Sequence, residues 1–175
     1  MKLNKLYLLL VLLMGAFVFA ACGDDEPDPE PQDKGTVSEA IREVVGIYIG
    51  QTHLKTNFID KTYKDDTLSL AISDGGTLIA TFKDKTWGTA TITGITASRI
   101  VNDQGYKLEH GAGSFVMNNP RDNTTEEFSC WLDYALISAD KKQMKAIIIA
   151  NMTTTGAHGE MTFVFQTDDE LTPAS

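Results

Sequence analysis

The fold of this chain is decided by the stretch Thr67-Leu68-Ser69-Leu70-Ala71-Ile72-Ser73-Asp74-Gly75-Gly76-Thr77-Leu78-Ile79-Ala80-Thr81-Phe82. Apolar residues alternate with polar or small ones on both sides of an Asp-Gly-Gly sequence, which tolerates positive φ angles. A period of two is typical of a β-strand with one buried face. The stretch therefore predicts a β-hairpin that turns at residues 74–76.

The same alternation continues on both sides of this hairpin, and turn residues recur along the chain. Gly111-Ala112-Gly113 is expected to turn the chain between two strands. A long strand is expected to carry one face made of Phe128, Cys130, Leu132, Tyr134 and Leu136. The pattern predicts an all-β domain of roughly eight to ten antiparallel strands that closes into an up-and-down barrel. A two-sheet β-sandwich is the second choice.

One short helix is expected before the first strand. Thr36-Val37-Ser38-Glu39 has the spacing of a capping box, and Ala40, Ile41 and Val44 follow at helical spacing. Gly46 then ends the helix, and the period of the apolar residues changes to two.

The first residues of the chain have the pattern of a lipoprotein signal peptide. Lys2 and Lys5 precede a short apolar run, and Phe19-Ala20-Ala21-Cys22 places small residues before a cysteine. This sequence resembles the bacterial lipobox, which implies cleavage after residue 21 and lipidation of Cys22. The predicted organisation is a signal peptide at 1–21, a lipidated, acidic and proline-rich tether at 22–35, a β-domain at 36–170 and a tail at 171–175.

Charge and residue usage exclude several classes of function. Loss of Lys2 and Lys5 with the signal peptide lowers the formal charge from -9 to -11, which argues against nucleic acid as a partner. Cys130 is the only cysteine left for the domain, so an intramolecular disulfide is excluded. The three histidines lack metal-ligand spacing. We expect a protein that is not an enzyme and that has no cofactor and no metal.

Two segments that contain aspartate are assigned to turns, and the first of them is expected to be a solvated acidic turn. Asp60, Asp65 and Asp66 gather near Tyr63 without the ligand pattern of a calcium-binding loop. Lys83-Asp84-Lys85 is expected to turn the chain between two strands.

Three short motifs resemble a known family. Val45-Gly46-Ile47-Tyr48-Ile49-Gly50, Ile92-Thr93-Gly94-Ile95 and Gly105-Tyr106-Lys107-Leu108 are similar to the calycin-like or lipocalin-like lipoproteins of Bacteroidetes. The resemblance implies an eight-stranded barrel with a central cavity. Gly23-Asp24-Asp25-Glu26 also resembles the export signal of surface lipoproteins in that phylum, so residence in the outer membrane, facing the periplasm or the outside, is expected. Lipocalins usually carry an arginine on the last strand, whereas Met161 to Thr167 contains no basic residue.

Large inward aromatic residues are the candidate ligand-binding residues of such a barrel. They either fill the interior or line a cavity at its wider end, and they are Tyr48, Phe82, Phe115, Tyr134, Phe163 and Phe165. The function expected is binding of a small apolar or amphipathic molecule by a membrane-anchored protein.

The alternative is an interaction module that binds a protein or glycan partner at the cell surface. Trp87 and Trp131 are the candidate surface platform, since Trp131 lies on the face opposite Phe128 and Cys130. Ile147-Ile148-Ile149 gives its strand apolar bulk on both faces. The outer face there is expected to be covered by the N-terminal helix or by a partner.

Overall fold

The structure, a computed structural model, describes residues 37–119, 124–152 and 159–167. The segments predicted to be the signal peptide, the tether and the tail lie outside these ranges. The helix and strands within them are α1 (Glu39–Val44), β1 (Gly46–Lys55), β2 (Asp60–Ile72), β3 (Leu78–Asp84), β4 (Gly88–Arg99), β5 (Tyr106–Glu109), β6 (Ala112–Asn119), β7 (Thr124–Ile137), β8 (Met144–Asn151) and β9 (Glu160–Thr167). No helix of the described residues is both long and apolar enough to cross a membrane.

The strands form one closed antiparallel barrel. Strands that follow one another in the chain pair with each other, except β5 and β6, and β9 returns to pair with β1 from Gly50–Thr167 to Lys55–Thr162. The nine strands occupy eight positions, because β5 and β6 lie end to end between β4 and β7 in unbroken register. The predicted all-β barrel with one short helix before it is confirmed.

The predicted turn at Gly111-Ala112-Gly113 is wrong, since the chain there continues along the same barrel position. The main chain takes positive φ angles at Gly94 (74°), His110 (64°) and Gly111 (96°), which lie at the same level of β4 and of the junction between β5 and β6. The burial pattern changes parity at this level in β4 and in β7 as well. One extra residue is therefore inserted at the same level in three neighbouring barrel positions.

Because of this insertion, Tyr134 does not lie on the predicted face of its strand. The register of β7 against β8 shifts between Leu132 and Tyr134, so the inward residue after Leu132 is Ala135. A one-residue slip moves every later side chain to the other face of a strand. Tyr134 and Leu136 therefore lie half-buried on the outer face, and their predicted inward placement is wrong.

Helix α1 lies across the end of the barrel at which β1 begins. Its first turn is capped by Ser38, whose hydroxyl accepts a hydrogen bond from the Ile41 amide at 3.3 Å. The helix packs mainly on β4 and β2, and it is tied to the barrel by Glu43, which accepts hydrogen bonds from Arg99 (2.7 Å) and Tyr106 (2.9 Å). The apolar side chains that it buries are Ala40, Ile41 and Val44.

Replacing Gly111 with alanine should destabilise the barrel more than replacing Gly94 does. Both glycines have positive φ angles, which cost an L residue about 1 kcal/mol. A Cβ at Gly111 would also meet the side chains of Ile95 and Ile92, whereas a Cβ at Gly94 meets nothing within 4 Å. Overpacking adds a further cost, so we expect a loss of about 3 kcal/mol for Gly111→Ala and about 1 kcal/mol for Gly94→Ala.

Urea unfolding of both variants measures this difference. Equal losses of unfolding free energy would contradict the tight contact at Gly111.

Candidate functional site in the barrel interior

Aromatic rings occupy the middle of the barrel. The ring centroids of Phe82 and Phe163 are 5.5 Å apart, those of Phe115 and Phe163 are 5.0 Å apart, and those of Phe82 and Phe165 are 6.2 Å apart. These residues come from β3, β6 and β9, which are separated by other strands around the barrel, so the contacts cross its interior. The barrel is compatible with a lipocalin-like binding protein, but its centre is filled by these four phenylalanines.

A group of polar side chains lies beside the rings on the wall formed by β1, β2 and β3. Thr52, Asp66 and Asp84, here called the polar cluster, face inward and are 0%, 1% and 4% exposed. Thr52 pairs with Phe165 across the closure of β1 and β9, which places the cluster next to the aromatic rings. Asp66 precedes the inward residues Leu68 and Leu70 on β2, and Asp84 follows the inward Phe82 on β3.

Most oxygen atoms of the polar cluster have no partner. Asp84 Oδ1 accepts hydrogen bonds from the amides of Thr86 (2.7 Å) and Trp87 (2.8 Å). In the described part of the chain, Asp84 Oδ2, both carboxyl oxygens of Asp66 and the hydroxyl of Thr52 are buried without a hydrogen bond. Buried polar groups of folded proteins are nearly always paired, because an unpaired one costs about 1–3 kcal/mol. The four unpaired oxygens therefore make the cluster a candidate binding site.

The electrostatics of the cluster favour partial protonation. Burial raises the pKa of Asp66 from 3.8 to about 6, and the neighbouring carboxyl of Asp84 raises this pKa as well. The Thr52 hydroxyl and the Lys85 amide lie close enough to Asp66 to lower its pKa, although neither reaches hydrogen-bond geometry. The Lys85 ammonium forms an ion pair with Asp65 at 3.7 Å and not with Asp66.

The phenylalanines among the candidate ligand-binding residues are brought together, but Tyr48 is not. Tyr48 is buried at the end of the barrel where α1 lies. Its hydroxyl donates a hydrogen bond to the Val44 carbonyl at 3.1 Å. Burial raises the pKa of Tyr48 to about 12. Helix α1 thus lies over Tyr48.

The two tryptophans lie at separate places. Trp87 belongs to the turn between β3 and β4, where it is half-buried and meets the ring of Tyr63 edge-on at 6.3 Å. Its indole N–H is buried without a partner among the described residues. Trp131 is half-buried on the outer face of β7, opposite Ile149 of β8.

Trp131 belongs to an apolar strip on the outside of the barrel. Tyr134 pairs with Ile147, which pairs with Val164 of β9, and Trp131 pairs with Ile149. These five half-buried residues form the outer apolar band. Helix α1 packs on β4 and β2, so the expectation that it covers Ile147 and Ile149 is wrong.

The sequence interpretation missed the polar cluster. Assignment of Asp66 to a solvated turn is wrong, because the residue lies in β2 and is buried. The signal was present in the alternation itself, since Asp66 continues the inward series of Leu70 and Leu68. Asp84 likewise continues the inward series that ends with Phe82.

A shallow cleft of about 90 Å³ opens at the end of the barrel near α1. It is lined in part by Arg99, Asp103 and Tyr106, and the Arg99 guanidinium already contacts Glu43 at 2.7 Å and Asp103 at 3.7 Å. Its cationic group is thus held by the carboxylates of the protein. The polar cluster is the stronger candidate site, because its oxygens are both buried and unpaired.

Comparisons of the chain with known protein families, with curated proteins and with solved structures found no match. Within the described ranges, no three His, Cys, Asp or Glu side chains are grouped as metal ligands.

Asp66→Asn should make the barrel more stable at neutral pH. It should also remove the change in unfolding free energy with pH that the Asp66 carboxyl causes. The carboxyl of Asp66 is protonated in both states below pH 3.8, but between 3.8 and about 6 the unfolded chain releases its proton first. The wild type therefore loses stability as the pH rises through this window, and the loss reaches about 3 kcal/mol above it. Urea unfolding of the wild type and the variant from pH 4 to pH 8 measures the difference.

The matched control is Asp65→Asn, which removes an exposed carboxylate one residue away. It should change the unfolding free energy by less than about 0.5 kcal/mol. A constant difference between wild type and Asp66→Asn across the pH range would show that Asp66 does not titrate in a buried site.

Proposed function

We propose that this protein is a membrane-anchored, non-enzymatic lipoprotein whose lipocalin-like barrel binds a small amphipathic molecule beside the polar cluster. The observation that carries the proposal is the set of unpaired, buried oxygens on Thr52, Asp66 and Asp84. Such groups weaken the fold unless something pairs with them. A ligand that donates hydrogen bonds there would restore the missing partners.

The surroundings of the cluster favour a ligand that has both a polar and an apolar part. Thr52 lies opposite Phe165, and Phe165 contacts Phe82 in the middle of the barrel. Leu54 of β1 and Leu68 of β2 also face inward, next to Thr52 and Asp66 on their strands, and both are fully buried. A polar group held by the cluster would therefore be attached to a part of the ligand that packs against these apolar side chains.

The anchor in this proposal comes from the sequence. A lipidated Cys22 carrying two or three acyl chains binds a bilayer stably, because each buried CH₂ contributes about 0.8 kcal/mol. A proline-rich tether of roughly a dozen residues would hold the barrel a few tens of ångströms from the lipid. We propose that this lipid is in the outer membrane, with the barrel facing the periplasm or the outside.

The outer apolar band favours a second candidate function, which is docking of a protein or glycan partner. Trp131, Tyr134 and three aliphatic residues form a continuous strip across β7, β8 and β9. Contiguous apolar surface of this kind is typical of interaction sites. The band lies on the outside of the barrel, so the two functions are separable by mutation.

Native mass spectrometry of the protein isolated from its own source should detect a bound small molecule. Thr52→Val keeps the shape of the side chain but removes the unpaired hydroxyl, so we expect at least a tenfold lower fraction of ligand-bound protein. Ile149→Lys, on the outer face, should leave this fraction unchanged.

Absence of any bound molecule in the wild type, or equal loading of Thr52→Val, would overturn ligand binding at the cluster. A protein that co-purifies with the wild type but not with Ile149→Lys would favour the second candidate.

Cys22→Ala should release the barrel from the membrane. Radiolabelled palmitate should be incorporated into the wild type and not into the variant, because the thiol of Cys22 is the predicted site of acylation. Cys130→Ala is the matched control, since Cys130 is buried and burial raises the pKa of its thiol to about 12. Equal labelling of wild type and Cys22→Ala would contradict the anchor.

A further inference from the structure

Among the described residues, the polar cluster concentrates negative charge without a protein cation to balance it. The described ion pairs of lysine, arginine and histidine involve other carboxylates, so neither Asp66 nor Asp84 has a cationic partner among them. Both side chains are at least 96% buried, at 1% and 4% exposure. Buried carboxylates are normally paired with a cation or kept neutral by a proton.

Most hydrogen-bonding groups of the cluster are acceptors. Thr52 Oγ1, both oxygens of Asp66 and Asp84 Oδ2 are unpaired, and an ionised carboxylate only accepts hydrogen bonds. Three neighbouring strands thus place three carboxyl oxygens that accept hydrogen bonds beside a hydroxyl that can accept or donate. A group that carries several N–H donors and a positive charge matches this arrangement.

We infer that the polar part of the ligand is an ammonium group, whose three N–H donors are held by Asp66, Asp84 and Thr52. This inference depends on the proposed function, since it names the chemistry of the ligand that the barrel takes. Charged hydrogen bonds from an ammonium group to carboxylates are stronger than those from a neutral hydroxyl. An ammonium group also neutralises one of the two buried negative charges.

Protons compete with such a ligand for Asp66. The groups that face Asp66 are Asp84 on β3 and Thr52 on β1, and Tyr63 of β2 lies opposite Thr52. Lys61, which lies 5.3 Å above the Tyr63 ring, and Lys85 are both exposed. Because protonation of Asp66 removes the charge that attracts the ligand, binding should weaken as the pH falls through about 6.

The test compares three probes of equal chain length, which are n-hexylammonium, n-hexanol and n-hexanoate. Isothermal titration of the full chain in detergent at pH 7.5 should give a dissociation constant for hexylammonium at least tenfold below that for hexanol. Hexanoate should not bind, because its carboxylate would face two others. At pH 5.0 the affinity for hexylammonium should fall about tenfold, since most Asp66 is then protonated.

Variants test whether the preference for hexylammonium over hexanol depends on the polar cluster. Asp66→Asn should weaken hexylammonium at least tenfold while leaving hexanol within twofold, and Asp65→Asn should change neither. Since Asp66→Asn is expected to be the more stable protein, loss of folding does not account for a loss of binding. Its cooperative unfolding in urea serves as the check.

The outcomes separate the inference from the proposed function. Equal affinity for hexanol and hexylammonium would overturn the ammonium preference and leave an amphipathic ligand in place. Calcium chloride binding that displaces hexylammonium and depends on Asp66 would identify the cluster as a cation site and overturn the inference. Failure of every probe, with no molecule bound to protein from its own source, would overturn both.

Discussion

The closure of β9 on β1 is the constraint on which the rest of the structure depends. Once the hydrogen bonds from Gly50–Thr167 to Lys55–Thr162 join the two ends of the sheet, every strand has one inward and one outward face. The inward residues then have to fill a space of fixed width. Phenylalanines from three separated strands fill its centre, and the residues left beside them on β1, β2 and β3 include two carboxyl groups.

The extra residues inserted at one level of the barrel determine which side chains face inward beyond that level. At Gly94 in β4 and at His110 and Gly111 between β5 and β6, positive φ angles accommodate one extra residue while the register between these neighbouring positions is kept. Beyond this level the inward positions change parity, so Tyr134 moves to the outer face. The inserted residue therefore takes the ring of Tyr134 out of the interior and adds it to the outer apolar band.

Much of the fold was predictable because the period of two is set by the pleat of the strand. The hairpin at 74–76, the short helix and the closed antiparallel barrel follow from that period and from turn residues. The insertion was not predictable, since Gly111 is equally suited to a turn and to a bulge. The cluster was not predicted because an aspartate usually lies in solvent, and Asp66 stands at the first inward position before Leu68 and Leu70.

The polar cluster and the stability of the barrel are in tension. The protein keeps Asp66 and Asp84 on neighbouring strands at a place where leucine or phenylalanine would pack better, as they do one step further along at Leu68 and Phe82. A purely structural interior would gain stability by replacing either carboxyl group. Groups that weaken the free protein and gain partners only on binding are characteristic of functional sites. The charge that makes the interior less stable when the site is free is therefore the same property that would select a cationic ligand.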